Sequence, residues 1–169
     1  MKELLLVRHA KSDRNIDVSD IERPLKKRGK RDAKNVGEWL KKKNLLPDML
    51  LSSPARRAID TARLIFDELD VDGLVIHEDE FLYAADVKQL KSVLANCPET
   101  AQRVLLVGHN PELEDLLIYL VGADELSDAE KLLPTAALAR LTLETPWSDL
   151  HEGCAELSSI TYAKTLLDE

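Results

Sequence analysis

Two short apolar runs, each stopping at a histidine, constrain this chain more than any other feature. Leu4-Leu5-Leu6-Val7 leads into Arg8-His9, and Val104-Leu105-Leu106-Val107 leads into Gly108-His109. Four residues are too few for a helix, and neither run alternates with polar residues. Each is therefore expected to be a strand buried on both faces. Parallel α/β sheets contain such strands and gather their chemistry at the carboxyl ends. The chain has four histidines, and two of them stand at that place. Packing gives no reason for the repeat. An arginine fork can hold a phosphate bidentately, and an imidazole beside it can attack phosphorus. Arg8 and His9, taken alone, are equally well read as two surface residues that close a strand. The recurrence at His109 favours chemistry.

The rest of the chain alternates strands with helices. A helix is expected over 27–42, with Ala33, Val36, Trp39 and Leu40 on one face. Lys26 stands where a capping Ser or Thr would be expected. A strand over 49–52 runs into Ser53-Pro54, a good N-cap followed by a good first helical residue. Ala58, Ala62, Ile65 and Leu69 then form a buried stripe. Arg56 and Arg57 fall in that helix's first turn, where free N–H groups already favour an anion. Further strands are expected over 73–77, 103–108, 137–144 and 155–162, the last pairing antiparallel with the one before it at an edge. Helices are expected over 86–96 and 112–121, with Pro111 suited to the first turn of the second. A loop with a short helix is expected over 124–135. The pattern predicts a three-layer α/β/α sandwich with a mostly parallel central sheet, in one domain over 1–169. Such a sheet can bring His9, Arg57 and His109 to one edge.

Four stretches carry a family resemblance. They are Arg8-His9, Gly108-His109-Asn110-Pro111, a D-x-x-R-P-L-x-x-x-G pattern from Asp20 to Gly29, and an S-P-x-x-R-A-x-x-T-A pattern from Ser53 to Ala62. Together they resemble the histidine phosphatase superfamily, with its phosphoglycerate mutase-like fold, and more narrowly the SixA-type phosphohistidine phosphatases. The resemblance spans nearly the whole chain. It implies that His9 attacks phosphorus and is transiently phosphorylated, and that Arg8, Arg57 and His109 neutralise the transferring group. The motif spacing selects Arg57 over Arg56. Asn110, Ser12 and Arg23 are further candidates for substrate binding, and a pairing of Arg23 with Asp20 is an equal alternative. The substrate implied is a phosphohistidine on a signalling or phosphotransfer protein, with no cofactor. Relatives such as the phosphoglycerate mutases carry a leaving-group acid, a Glu, where this chain has Ala84. Glu80 and Asp86 are the nearest candidates for an acid/base, and neither stands at the motif spacing.

Composition bounds the alternatives. A net charge of −8 argues against general nucleic-acid binding. The charge is uneven, since residues 23–43 hold ten basic and two acidic side chains. A solvated helix face accounts for that segment, and a docking surface for an acidic partner is the sharper alternative. No apolar run reaches membrane length and no leader precedes the first strand, so a cytoplasmic protein is expected, without a membrane partner and monomeric. Cys97 and Cys154 are far apart and outside any phosphate-cradling loop, which points to structural roles in a reducing compartment. His77 precedes an acidic cluster and is read as non-catalytic. His9 and His109 lack metal-ligand spacing, so no metal is expected. Two alternatives to a protein phosphohistidine phosphatase stay open. One is a small-molecule phosphomonoesterase on the same site, the other a non-catalytic phosphate-binding regulatory domain.

Overall fold

The computed structural model describes residues 1–126 and 132–168. Its strands are β1 (Lys2–Arg8), β2 (Met49–Ser52), β3 (Ile76–Glu78), β4 (Arg103–Gly108), β5 (Leu138–Leu143) and β6 (Ala155–Thr161). Its α-helices are α1 (Lys27–Lys42), α2 (Arg56–Leu69), α3 (Val87–Ala95) and α4 (Glu112–Val121). The strands form one sheet in the order β3-β2-β4-β1-β5-β6. The first four strands run parallel. β5 runs antiparallel to β1, and β6 antiparallel to β5. The last two strands thus pair as expected, but the reversed strand is β5, one place in from the edge.

Alternation along β1 divides the interior. Leu4 and Leu6 point into one core with Leu90, Val93 and Leu94 of α3 and Leu113, Leu116, Leu117 and Leu120 of α4. Leu5 and Val7 point into the other, with Ala33, Val36 and Leu40 of α1 and Ala58, Ala62, Ile65 and Leu69 of α2. Successive residues of a strand face opposite ways, so an unbroken apolar run feeds both layers. The result is the three-layer α/β/α sandwich. At the far end of β1, Glu3 binds Arg103 of β4 at 3.0 Å and also Arg140 of β5, tying three strands together away from the candidate site.

Two element starts differ from expectation by more than one residue. α2 begins at Arg56 with Ala55 as its N-cap and no side-chain cap. The Ser53 hydroxyl instead accepts from the Ala55 N–H at 3.2 Å and engages His109, so Ser53 and Pro54 lie ahead of the helix. β3 starts at Ile76, because Gly73 has a φ of 81° and belongs to a turn closed by Leu74 N–H on the Val71 carbonyl. A short 3-10 helix (Ala163–Asp168) follows β6, and its Ala163 and Leu166 pack into the α1–α2 core. Of the stretch expected as loop and short helix, Ala123–Glu125 is a 3-10 turn, and 127–131 lie outside the described residues. No helix among the described residues is long and apolar enough to cross a membrane.

Candidate active site

β1 and β4 are neighbours in register, with Arg8 opposite Gly108. After them the chain leaves in opposite directions, towards α1 on one face and α4 on the other. This divergence is the switch point at which open parallel sheets bind ligands. It is also why His9 and His109, a hundred residues apart in sequence, become neighbours. The His9 N–H donates to the Gly108 carbonyl at 3.0 Å, and the two imidazole centroids are 5.2 Å apart. β2, on the other side of β4, delivers Ser53, whose N–H binds the Val107 carbonyl at 3.1 Å, and then α2 with Arg57.

The His9 ring is fixed by its own neighbour. Nδ1 lies 2.8 Å from the Ala10 carbonyl oxygen, an acceptor only, so Nδ1 carries the proton and donates it. The lone pair is then on Nε2. Thr61 holds that carbonyl in place. Its hydroxyl accepts from the Ala10 N–H at 3.0 Å and donates to the Arg57 carbonyl at 2.7 Å. One hydroxyl therefore couples the nucleophile candidate to the first turn of α2. His9 and His109 are each 6% exposed. Burial pushes the His9 imidazolium down to about 3 and that of His109 to about 4, with the arginines nearby adding to both. Both rings are neutral at pH 7.

Two arginines face this pair. Arg8 Nη1 donates to the Leu133 carbonyl at 3.2 Å, and Asn110 Nδ2 donates to the same oxygen at 2.7 Å. The Leu133 N–H is held by the Glu114 carboxylate at 2.8 Å. Arg57 donates from Nη1 to the Asp20 carbonyl at 2.6 Å and from Nη2 to Asp20 Oδ2 at 3.0 Å. His109 Nε2 meets the Ser53 hydroxyl at 2.8 Å. Four buried polar atoms of this group have no partner among the described residues: Arg8 Nε, Arg57 Nε, His109 Nδ1 and Asn110 Oδ1. Unpaired buried polar atoms are costly. Three of the four are nitrogens, which can donate to an oxyanion.

The other sequence candidates are distributed around this centre. Arg23 donates to the Ser12 hydroxyl at 2.9 Å and to Asp20 Oδ1 at 2.6 Å. It is thus paired with Asp20, and Ser12 supports it from a bridge to Leu25. Gly29 packs on the same segment; a Cβ there would stand 2.2 Å from the Lys11 carbonyl oxygen. Arg56 is exposed and pairs with Asp60 at 3.6 Å. Asp86 caps α3, accepting from the Gln89 N–H at 2.8 Å in a reciprocal capping box. Glu80 is exposed on a 3-10 turn (Glu80–Leu82), and His77 is exposed on β3. Among the described residues no three or more His, Cys, Asp or Glu side chains form a metal-holding group. The Cys97 thiol is pushed up to about 11 by burial and Glu99.

Four contributors were not singled out from sequence as site residues. Ser53 and Thr61 lie inside the quoted S-P-x-x-R-A-x-x-T-A pattern, so that spacing held the signal. The sequence presents Asp20 only as a partner for Arg23. Tyr83 had no signal: it donates to Asp20 Oδ2 at 2.6 Å and packs edge-on to His109, with centroids 5.7 Å apart.

Known proteins resemble this chain in sequence and in fold. The model of the histidine phosphatase superfamily (branch 1) matches residues 4–91. An uncharacterised protein of Mycobacterium tuberculosis is 31% identical over 156 residues, covering 89% of this chain and 96% of the relative. A 2,3-bisphosphoglycerate-dependent phosphoglycerate mutase of Bifidobacterium longum is 41% identical over 80 residues, which are 46% of this chain and 32% of the mutase. A solved structure from Agrobacterium tumefaciens, provisionally described as the phosphohistidine phosphatase SixA, aligns with a TM-score of 0.79 at 26% identity over 95% of this chain and 98% of that one. The protein histidine phosphatase SixA complexed with tungstate shares the fold with a TM-score of 0.81 at 23% identity, over 97% and 99% of the two chains.

Proposed function

The chain belongs to the histidine phosphatase superfamily, and we propose that it removes phosphate from phosphohistidine on a signalling or phosphotransfer protein, using His9 as nucleophile. The observation that carries this reading is the His9 ring: neutral, buried, with Nδ1–H donated to the Ala10 carbonyl and the lone pair on Nε2. Phosphoryl transfer asks little covalent chemistry of a protein beyond that nucleophile, and most of the help comes from placed positive charge. Arg8 and Arg57 supply that charge, and the neutral His109 ring adds a hydrogen bond. Nε2 attacks phosphorus, the bond to the leaving group breaks, and the three donors receive the oxygens' charge. Water then attacks the phosphorylated His9, releasing phosphate and restoring the neutral ring. Two smaller barriers replace one large one.

The substrate preference follows from what stands at position 84. An alkoxide leaving a serine or sugar phosphate needs a proton, and general acid catalysis is worth about 10²–10⁴-fold. Ala84 offers none, and Asp86 is engaged in capping α3. A leaving imidazole has a conjugate-acid pKa of about 6.5 and departs protonated near neutral pH. The second reading, a small-molecule phosphomonoesterase, is favoured by Tyr83. Its ring packs edge-on to His109, and its hydroxyl, kept protonated by Asp20, becomes a proton donor for a leaving group if it turns from Asp20 Oδ2.

A panel comparing a phosphohistidine protein with phosphoserine, phosphotyrosine and sugar phosphates separates the two. The phosphohistidine protein should be hydrolysed at least about 10²-fold faster than alkyl phosphates. Among aryl phosphates, log(kcat/KM) should fall steeply as leaving-group pKa rises. A flat plot, with phosphoserine cleaved as fast as nitrophenyl phosphate, would favour the second reading and make Tyr83 the first residue to replace.

A further inference from the structure

Asp20 has no role in the transfer just described, yet it binds three side chains around the site. Oδ1 accepts from Arg23 at 2.6 Å, and Oδ2 accepts from Arg57 at 3.0 Å and from Tyr83 at 2.6 Å. Its backbone carbonyl accepts from Arg57 at 2.6 Å. Asp20 lies on a 3-10 turn (Asp20–Glu22), and its side chain is half exposed. An exposed carboxylate normally remains in water. This one reaches into a cluster of two arginines and a phenol, which hold its carboxyl far below the usual carboxylate range.

The geometry at Arg57 shows what the carboxylate does. A guanidinium offers two bidentate edges, the Nη1/Nη2 end and the Nε/Nη2 side, in a rigid plane. Asp20 takes the end, with its carbonyl on Nη1 and Oδ2 on Nη2. Nε, on the side edge, is buried and has no partner among the described residues. Arg8 is arranged alike: Nη1 is held by the Leu133 carbonyl, and Nε is buried with no partner among the described residues. Each arginine is gripped away from its Nε, which leaves the edge that contains it open at that atom. A carboxylate standing in for the substrate phosphate would be expected to cover that open edge, and Asp20 does not.

We propose that Asp20 is a positioning residue that clamps Arg57 by the end of its guanidinium, so that the Nε/Nη2 edge receives the phosphoryl oxygens. The clamp also binds Arg23 and Tyr83, so the segment leading to α1 and the turn before α3 are set by the same carboxylate. The proposal rests on the phosphoryl-transfer reading. Orientation of a charge-neutralising group acts on the transition state, and small misplacements cost about 10²-fold. Loss of Asp20 should therefore appear in kcat. Binding of phosphate itself has two opposed contributions, since removing the carboxylate also removes a negative charge beside the site.

The test is a double-mutant cycle. Asp20→Ala, Arg57→Ala and the double variant are compared in kcat and KM on an aryl phosphate, with folding checked by circular dichroism. Asp20→Ala should lower kcat about 10- to 100-fold, with a smaller change in KM, and Asp20→Asn should fall between it and wild type. In the Arg57→Ala background, removing Asp20 should cost far less than in the wild type, because its main effect on kcat passes through that arginine. Additive losses would overturn the proposal, as a structural role elsewhere predicts them. An unchanged or raised kcat with tighter phosphate binding would also overturn it, by showing a carboxylate that substrate has to displace. If the wild type hydrolyses no phosphorylated substrate, the phosphatase reading fails separately. The cycle is then read from calorimetric affinities for inorganic phosphate: without Arg57, Asp20→Ala should only tighten binding, by removing a negative charge, and a loss of affinity that persists there would refute the clamp.

Discussion

Holding two histidines neutral inside the protein makes it sensitive to mild acid, by an amount that can be worked out. In the unfolded chain each imidazole titrates near pH 6.5. In the fold burial depresses them to about 3 for His9 and about 4 for His109. A depressed pKa means that the unfolded state binds more protons between the two values. Stability is thus complete above pH 6.5 and falls as the pH drops towards the folded values. From pH 7 to pH 5 the unfolded chain gains most of a proton at each site, while the folded protein gains almost none. Each histidine then costs about 2 kcal/mol of stability, and the pair about 4 kcal/mol. The figure is insensitive to the folded values, because both lie below pH 5. Against a typical domain stability of about 5–15 kcal/mol, such a loss is large. Urea unfolding at pH 7 and pH 5, followed by the fluorescence of buried Trp147, measures it. His9→Gln should reduce the loss by about 2 kcal/mol and His9→Gln with His109→Gln by about 4 kcal/mol. Carboxylates such as Asp20 and Glu3 titrate in every variant and largely cancel. Identical pH dependences in wild type and double variant would refute the reasoning, since the histidines would then titrate in the fold as they do in water.

Arg57→Ala should lower kcat about 10²–10³-fold, as loss of a buried transition-state donor does, whereas Arg56→Ala, at an exposed residue paired with Asp60, should stay within about twofold of wild type; steady-state kinetics on one aryl phosphate decides, and equal losses would mean that the wrong arginine was assigned. Treatment with a chelator should leave activity unchanged, because the charge-neutralising groups are Arg8, Arg57 and His109; full loss with recovery on adding one divalent metal would contradict that assignment.

Much of this arrangement was legible in the sequence because it is local. An apolar run and its final histidine are adjacent in the chain, so the strand end and the residue it presents are read together. The same holds for Arg57, whose place in the first turn of α2 survives even though the helix starts later than Ser53 suggested. What was not legible depends on partners distant in sequence. Ser53 has the composition of an N-cap, but its hydroxyl meets His109, and that contact wins over the cap. The sequence left the partner of the His9 ring open; it is the Ala10 carbonyl, held by Thr61 from a different helix. Strand order is also non-local. Nothing in the run from Leu4 to Val7 says that β4 lies on one side and the reversed β5 on the other. Asp86 illustrates the opposite error, a carboxylate near the expected acid position whose local chemistry is a helix cap.

The most direct measurement is a rapid-quench experiment with radiolabelled aryl phosphate at substrate excess, stopped in alkali before the steady state. If His9 carries the phosphoryl group, protein-bound phosphate will appear that survives alkali, is released by acid, and maps to His9. His9→Ala will be folded, unlabelled and inactive. Wild-type turnover in His9→Ala, or rapid turnover with label on any other residue, would contradict the assignment of His9 as nucleophile.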